Sequence, residues 1–403
     1  VSALADRPGV LAAPGYVRLW VAGGISGAMM WLEMLAAALF TLAATGSPLA
    51  VAVVSAARAA PLLLVGAVVG VAADAWDRRR IVLGGLLLTA ASSASVALLA
   101  ALGVLRPWHL AVAALLSGVV YATELPARRR LVVDLAGPDR VGRAVAIDSL
   151  TSFATRALGP VLGGVGVGLA GIGGAYGVSA ACSLGAAALV LGVAHRQAPR
   201  ALPWRRVGLE LREGLAFARR ARAVAMLLAV TTAMNLLGYP YTALVAPIGR
   251  GAGLSDGAIG LLAAAEPAGA LCGGLLLVRL VLPGRPLAWL AGGAASLFGA
   301  LAATWLAPPL WPMCGVLALG GLGVAAYTNM QTTIVMRVTP PHLRSRVFGL
   351  VSVCVGSWPI GQLLAGAVAE AVSPRAAMAL LGAAGVMLLA VCAAAGRRTV
   401  SDG

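Results

Sequence analysis

The sequence predicts an all-α membrane protein with twelve transmembrane helices in two pseudo-symmetric six-helix bundles. Three observations carry that prediction. The first is composition: of 403 residues, 60% are hydrophobic and only 11% charged, too few to coat a soluble globule. The second is a series of uncharged runs, each long enough to cross a hydrocarbon layer about 30 Å thick at about 1.5 Å per residue. The third is an internal repeat that relates the two halves of the chain.

The runs fall at approximately 17–44, 50–72, 81–104, 109–127, 144–168, 172–194, 223–247, 257–280, 286–306, 311–335, 346–370 and 376–396. The breaks between them alternate in character. TGSP (45–48), AGIGG (170–174) and APPLWP (307–312) carry no charge, and the remaining breaks on that side hold only Arg106, Arg250, Asp256 and Arg375. The other side holds RRR at 78–80, RRR at 128–130, Arg140, Arg143, the segment 196–222, Arg337, Arg344, Arg346 and RR at 397–398. Arginine is retained on the cytoplasmic face, so that face and both termini are expected in the cytoplasm of a multi-pass cell-membrane protein. No small-residue cleavage site follows a short apolar core near residue 1, so no cleaved signal peptide is expected.

The same alternation explains the net charge of +16, in which all 30 basic residues are arginine. The basic clusters are spread between spans and form no aromatic-interleaved domain, so nucleic acid is excluded as a partner. Cys182, Cys272, Cys314, Cys354 and Cys392 lie inside apolar runs without paired spacing, which argues against disulfides and zinc.

The longest polar segment, 195–222, divides the chain into an N-terminal bundle (1–194), a cytoplasmic linker (195–222) and a C-terminal bundle (223–403). Within the linker, Val207, Leu211, Leu215 and Phe217 recur at near-helical intervals among arginines, which predicts an amphipathic helix on the membrane surface. A shift of 203 residues lays LVVDLAGPDRVGR (131–143) over IVMRVTPPHLRSR (334–346), with Pro138 on Pro341 and Arg143 on Arg346. Gly70 then falls on Gly273, but Asp74 meets Leu277, so the charged stretch GVAADAWDRRR (70–80) belongs to the first half alone. Parallel six-helix repeats are a known transporter plan.

GVAADAWDRRR resembles the loop between the second and third helices of the major facilitator superfamily, G-x-x-x-D-R-x-G-R-R/K. Gly70, Asp74, Arg79 and Arg80 fit it, with Ala75 and Asp77 in place of the usual arginine and glycine. That variation, together with WLEMLAAALFTLAATGSPLAV, ELPARRRLVVDLAGPDRVGRAVAIDSL, NLLGYPYTALVAP and QTTIVMRVTPPHLRSRVFGL, is similar to the branch of macrolide-efflux and enterobactin-exporter proteins. RALGPVLGG (156–164) resembles the fifth-helix antiporter motif, with Gly159, Pro160, Gly163 and Gly164 in place and Thr155 where a glycine is usual. The arginine that many relatives carry in the fourth helix is absent. The resemblance implies the major facilitator fold, with a central cavity opening alternately to either side. It also implies proton-driven secondary transport, mainly outward, with the proton gradient as energy source and no cofactor.

Ionisable groups inside spans are costly and therefore candidates for function. Four lie deep: Glu33, Arg58, Arg156 and Glu266. Glu33 is the expected proton-responsive acid, with Arg58 or Arg156 as its partner; a static ion pair that fixes helix packing is the alternative. Glu266 precedes Pro267 and either faces the cavity or caps a broken turn. Asn235, Tyr239, Tyr241, Asn329, Gln331 and Gln362 are candidate cavity groups or interhelical hydrogen-bonding partners. Glycines at 159, 163 and 164 are expected to let helix backbones approach closely, while Pro160 removes one backbone donor.

In the charged stretch Asp74 stands four residues before Arg78, within helical pairing distance. The resemblance implies a cytoplasmic gate formed by Gly70, Asp74, Asp77, Arg78, Arg79 and Arg80. It places Asp74 at the start of the eleventh helix near Arg344 and Arg346, with Asp134, Arg143 and Arg337 as further inter-half loop contacts. A purely topogenic loop is the alternative.

The leading functional expectation is a monomeric, proton-coupled exporter of small hydrophobic or amphiphilic compounds such as drugs or siderophores. An importer or lipid transporter of the same fold is the second reading. A polytopic membrane enzyme would need clustered nucleophile, base or metal ligands, and an ATP-driven pump a phosphate-binding G-x-x-x-x-G-K-[ST] loop; the sequence shows neither.

Overall fold

The computed structural model describes Leu11 and residues 13–75, 77–137, 140–194, 207–279 and 284–401, with the side chains of 14, 64–75, 207–211, 278–279 and 393–401 outside that description. Apolar runs become helices because a spanning segment must satisfy its backbone internally. The first half contains α1 (Pro14–Thr45), α2 (Pro48–Ala75), α3 (Arg78–Ala101), α4 (Pro107–Ala136) and α5 (Val141–Leu191). With 51 residues, α5 is long enough to cross twice. Gly171 (φ 65°, ψ −178°) breaks it, and a Cβ on Gly166 would stand only 3.6 Å from that of Ala175. A straight helix would hold those two residues about 13 Å apart, so the chain reverses here and α5 supplies the fifth and sixth spans.

After α6 (Val207–Arg220), the second half begins with α7 (Arg222–Ala233). It continues through a π-turn (Met234–Gly238) and a 3₁₀ turn (Tyr239–Ala243) into α8 (Val245–Gly251), together one span. The remaining spans are α9 (Asp256–Arg279), α10 (Pro286–Ala303), α11 (Trp311–Val338), α12 (Arg344–Val355) joined to α13 (Trp358–Ala371), and α14 (Pro374–Ser401). Two of these spans are interrupted where the sequence predicts continuous helices. Pro240 and Pro359 have no N–H to donate, so the ladder must adjust around each. The amphipathic linker helix forms within the expected segment.

Contacts fall mainly within two sets, α1 to α5 and α7 to α14. Between the sets the broadest contacts are α5 on α9 and α2 on α13. The 203-residue shift carries α2 onto α9 and the start of α5 onto α12 and α13, so these are one packing made twice.

Candidate functional site at the junction of the two halves

Glu33 is buried inside the first half, where hydroxyls and one arginine surround it. Ser93 on α3 and Ser179 on α5 donate to its Oε1 at 2.5 and 2.6 Å, and Arg58 Nη2 on α2 stands 3.5 Å from Oε2. The Tyr176 hydroxyl donates to the Glu33 carbonyl at 3.4 Å. A dehydrated charge needs a counter-ion and hydrogen bonds, and this one has both. The result is a polar knot tying α1, α2, α3 and α5. Of the two arginines, Arg58 stands beside Glu33 and Arg156 does not.

Arg156 points the other way, because its face of α5 looks across to α9. Its Nη2 donates to Glu266 Oε2 at 2.9 Å, joining the two halves. The Tyr241 hydroxyl donates to the same oxygen at 3.1 Å. The guanidinium carbon lies 5.5 Å from the Trp31 ring centre and 5.9 Å from that of Tyr239, both within cation–π range. Glu266 is fully buried, and its Oε1 and the Nε of Arg156 have no hydrogen-bond partner among the described residues. The broken seventh span supplies both tyrosines. Gly321 allows the α11 backbone to lie against the Glu266 carbonyl, where a Cβ would come within 2.1 Å. A cavity of about 30 Å³, room for roughly one water, is lined by Trp31, Ser55, Arg156 and Tyr241 among others.

Toward the arginine-poor face the halves are sealed. A Cβ on Gly164 would stand 2.2 Å from the Asp256 carbonyl, and one on Gly260 2.6 Å from that of Pro160. Gly159 and Gly163 make the same kind of approach to α1, at Ala28 and Leu32. The predicted antiporter-type motif thus packs on two sides, toward its own half and across the junction. On the symmetric side, Gly366 lies against Leu49 and Ala52, and Glu370 Oε2 accepts from Ser47 Oγ at 2.9 Å and Leu49 N at 3.2 Å. Arg250 pairs with Asp256 beside the first seam. Glu370 was not singled out in the sequence; its position as an acid in the last turn of an apolar span was the available signal.

Toward the arginine-rich face the halves separate around a cavity of about 560 Å³. Gly142, Val145, Ser149 and Phe153 of α5 face Gly274 and Leu277 of α9 and Asn329, Met330, Thr333 and Arg337 of α11. The structure is therefore open at one end of the junction and closed at the other.

The expected latch is not assembled from the described side chains. Asp77 caps α3, accepting from Arg80 N at 3.1 Å. Arg78 pairs with Asp134 at 2.5 Å inside the first half, and Arg79 donates to the carbonyls of Val190 and Leu191. Arg344 donates to the carbonyls of Thr339 and Met336, while Arg346 pairs with Glu213 of the linker helix. Arg143 is exposed near the open cavity. In this conformation these arginines satisfy carbonyls and acids of their own neighbourhood. Gly70 and Asp74 lie in the last turns of α2, where the side chains are outside the description.

The polar candidates divide. Tyr239 and Tyr241 belong to the ion-pair site, and Asn329 lines the open cavity. Gln331 donates to Thr231 Oγ1 and the Tyr327 hydroxyl, Gln362 to Thr242 Oγ1, and Asn235 to the Thr231 carbonyl. Those three serve interhelical or local bonding within the second half.

The sequence profile of the transmembrane secretion effector family matches residues 9–400. No curated protein matches the chain. Among solved structures it is similar to a bacterial homologue of the human lysosomal transporter Spinster in an inward-facing, unoccupied conformation. The TM-score is 0.72 at 15% identity over 94% of this chain and 95% of that one. The nucleoside transporter NupG gives 0.70 at 13% identity over 94% and 98%. A POT-family transporter in complex with 5-aminolevulinic acid gives 0.69 at 10% identity over 94% and 95%.

Proposed function

The chain belongs to the transmembrane secretion effector family of major facilitator transporters, and from that premise we propose a proton-coupled exporter of small amphiphilic compounds that works by alternating access. The observation that carries the reading is the Arg156–Glu266 bridge, the buried ion pair that joins α5 to α9 where the open cavity meets the sealed seam. Rocking the halves about this junction would open the arginine-poor face and separate α5 from α9 there. Glu266 would then lose its arginine and meet the newly opened side, where its carboxylate can exchange a proton with water.

The same geometry bears on the sign of coupling. A substrate that takes Arg156 would leave Glu266 to bind a proton alongside it, so the two would travel together. A substrate that offers a hydrogen-bond donor to Glu266 competes with the proton, so the two exchange. Glu266 Oε1 accepts no hydrogen bond from the described residues; we assign it as the acceptor for such a donor, and exchange follows from that assignment. Proton exchange moves substrate outward when protons flow in. The walls of the open cavity, apolar apart from Ser149, Asn329, Thr333 and Arg337, suit an amphiphile.

The test is efflux of a panel of fluorescent amphiphiles from cells that carry the wild type or Glu266→Gln. The proposal expects loss of efflux that depends on the proton gradient in the variant. Efflux that keeps its full response to the gradient would overturn it.

A further inference from the structure

The linker helix α6 carries an exposed strip that the transport cycle leaves unused. Gly214 and Ala218 are buried on one flank, where a Cβ on Gly214 would stand 3.3 Å from Arg346, and Glu213 pairs with Arg346 on α12. Arg212, Leu215 and Arg219 follow at intervals of three and four residues, so they share another flank. Leu215 is 41% exposed, and both arginines are exposed with no carboxylate partner among the described residues. Ala221 alone separates α6 from α7, whose spanning stretch starts at Arg222, so this strip lies at the boundary of the bilayer.

We infer that this strip binds the headgroups of anionic phospholipids in the leaflet on the arginine-rich side. A leucine between two guanidiniums matches the interface it would meet. The apolar side chain enters the acyl boundary, and each planar guanidinium donates its paired N–H groups to a phosphate. Topogenic arginine needs no such placement, because charge alone orients a loop whatever its helical register. Through the Glu213–Arg346 pair, lipid held by α6 bears directly on the base of α12, part of the span that packs against α2. The inference is independent of substrate and of proton coupling.

Native mass spectrometry of the purified full-length protein, titrated with phosphatidylglycerol or phosphatidylethanolamine, tests it. Arg212→Gln/Arg219→Gln should weaken phosphatidylglycerol binding about 25-fold, since each interfacial cation contributes about fivefold, and leave phosphatidylethanolamine binding unchanged. Arg129→Gln/Arg143→Gln removes two exposed arginines of the same face outside α6 and should retain phosphatidylglycerol binding. An equal loss in both double variants, or no loss in either, would overturn the inference. So would displacement of the lipid by millimolar inorganic phosphate, which would mark a site for the free anion.

Discussion

Glu33 and Glu266 are the same side chain, both buried, and their neighbours give them different work. Glu33 has two serine hydroxyls and Arg58, all from its own half. Nothing in that knot must come apart when the halves move. Removing one partner of such a pair leaves a buried charge uncompensated, at a cost of about 3–5 kcal/mol. Arg58→Ala should therefore lower the unfolding midpoint in detergent markedly, and adding Glu33→Gln should recover much of the loss. Glu266 is held by Arg156 from across the junction, with Tyr241 as a second donor. Tyr241→Phe should leave folding nearly intact, because Arg156 remains, yet shift the pH at which transport is half-maximal. The four charges were legible from their cost in an apolar span. Which arginine meets which acid was not, because pairing depends on how α5 turns its faces, and one span supplies surfaces to both halves.

Among the elements, α5 has the most demanding packing. Gly159 and Gly163 admit α1 on one side, and Gly164 admits α9 on another. Gly164→Leu would place a Cβ 2.2 Å from the Asp256 carbonyl and a larger side chain beyond it. The seam at the arginine-poor face should then fail to close. A cysteine placed in the open cavity, in a variant with the native cysteines replaced, should react more slowly with a membrane-impermeant thiol reagent from the arginine-rich side. The unbroken helices were legible because apolar length and uncharged breaks specify them directly. The interruptions at Tyr239 and at Gly356 were not, although Pro240 and Pro359 mark the places. A missing N–H can be absorbed by a kink, a π-turn or a 3₁₀ turn, and neighbouring helices decide among them.

For the molecule as a whole, the duplication has a mechanical meaning. The two junction contacts, α5 on α9 and α2 on α13, are related by the repeat, so two equivalent seams flank one axis. Both seams are tight at the arginine-poor end, and at the other end a cavity of about 560 Å³ separates α5 from α9 and α11. Twelve spans in two sets could be read from hydropathy, arginine alternation and the 203-residue shift. The conformation could not, since the same residues must fit both ends of the cycle. Ion pairs that belong to one half should persist through that cycle, and the pair that spans the halves should not. The most direct measurement is proton-gradient-driven transport in proteoliposomes, made side by side for Glu266→Gln and Glu33→Gln protein of equal monodispersity. The account predicts that Glu266→Gln loses its response to the gradient while folded Glu33→Gln keeps it. Retention by Glu266→Gln with loss in Glu33→Gln would contradict it, and would move the coupling site from the junction into the first half.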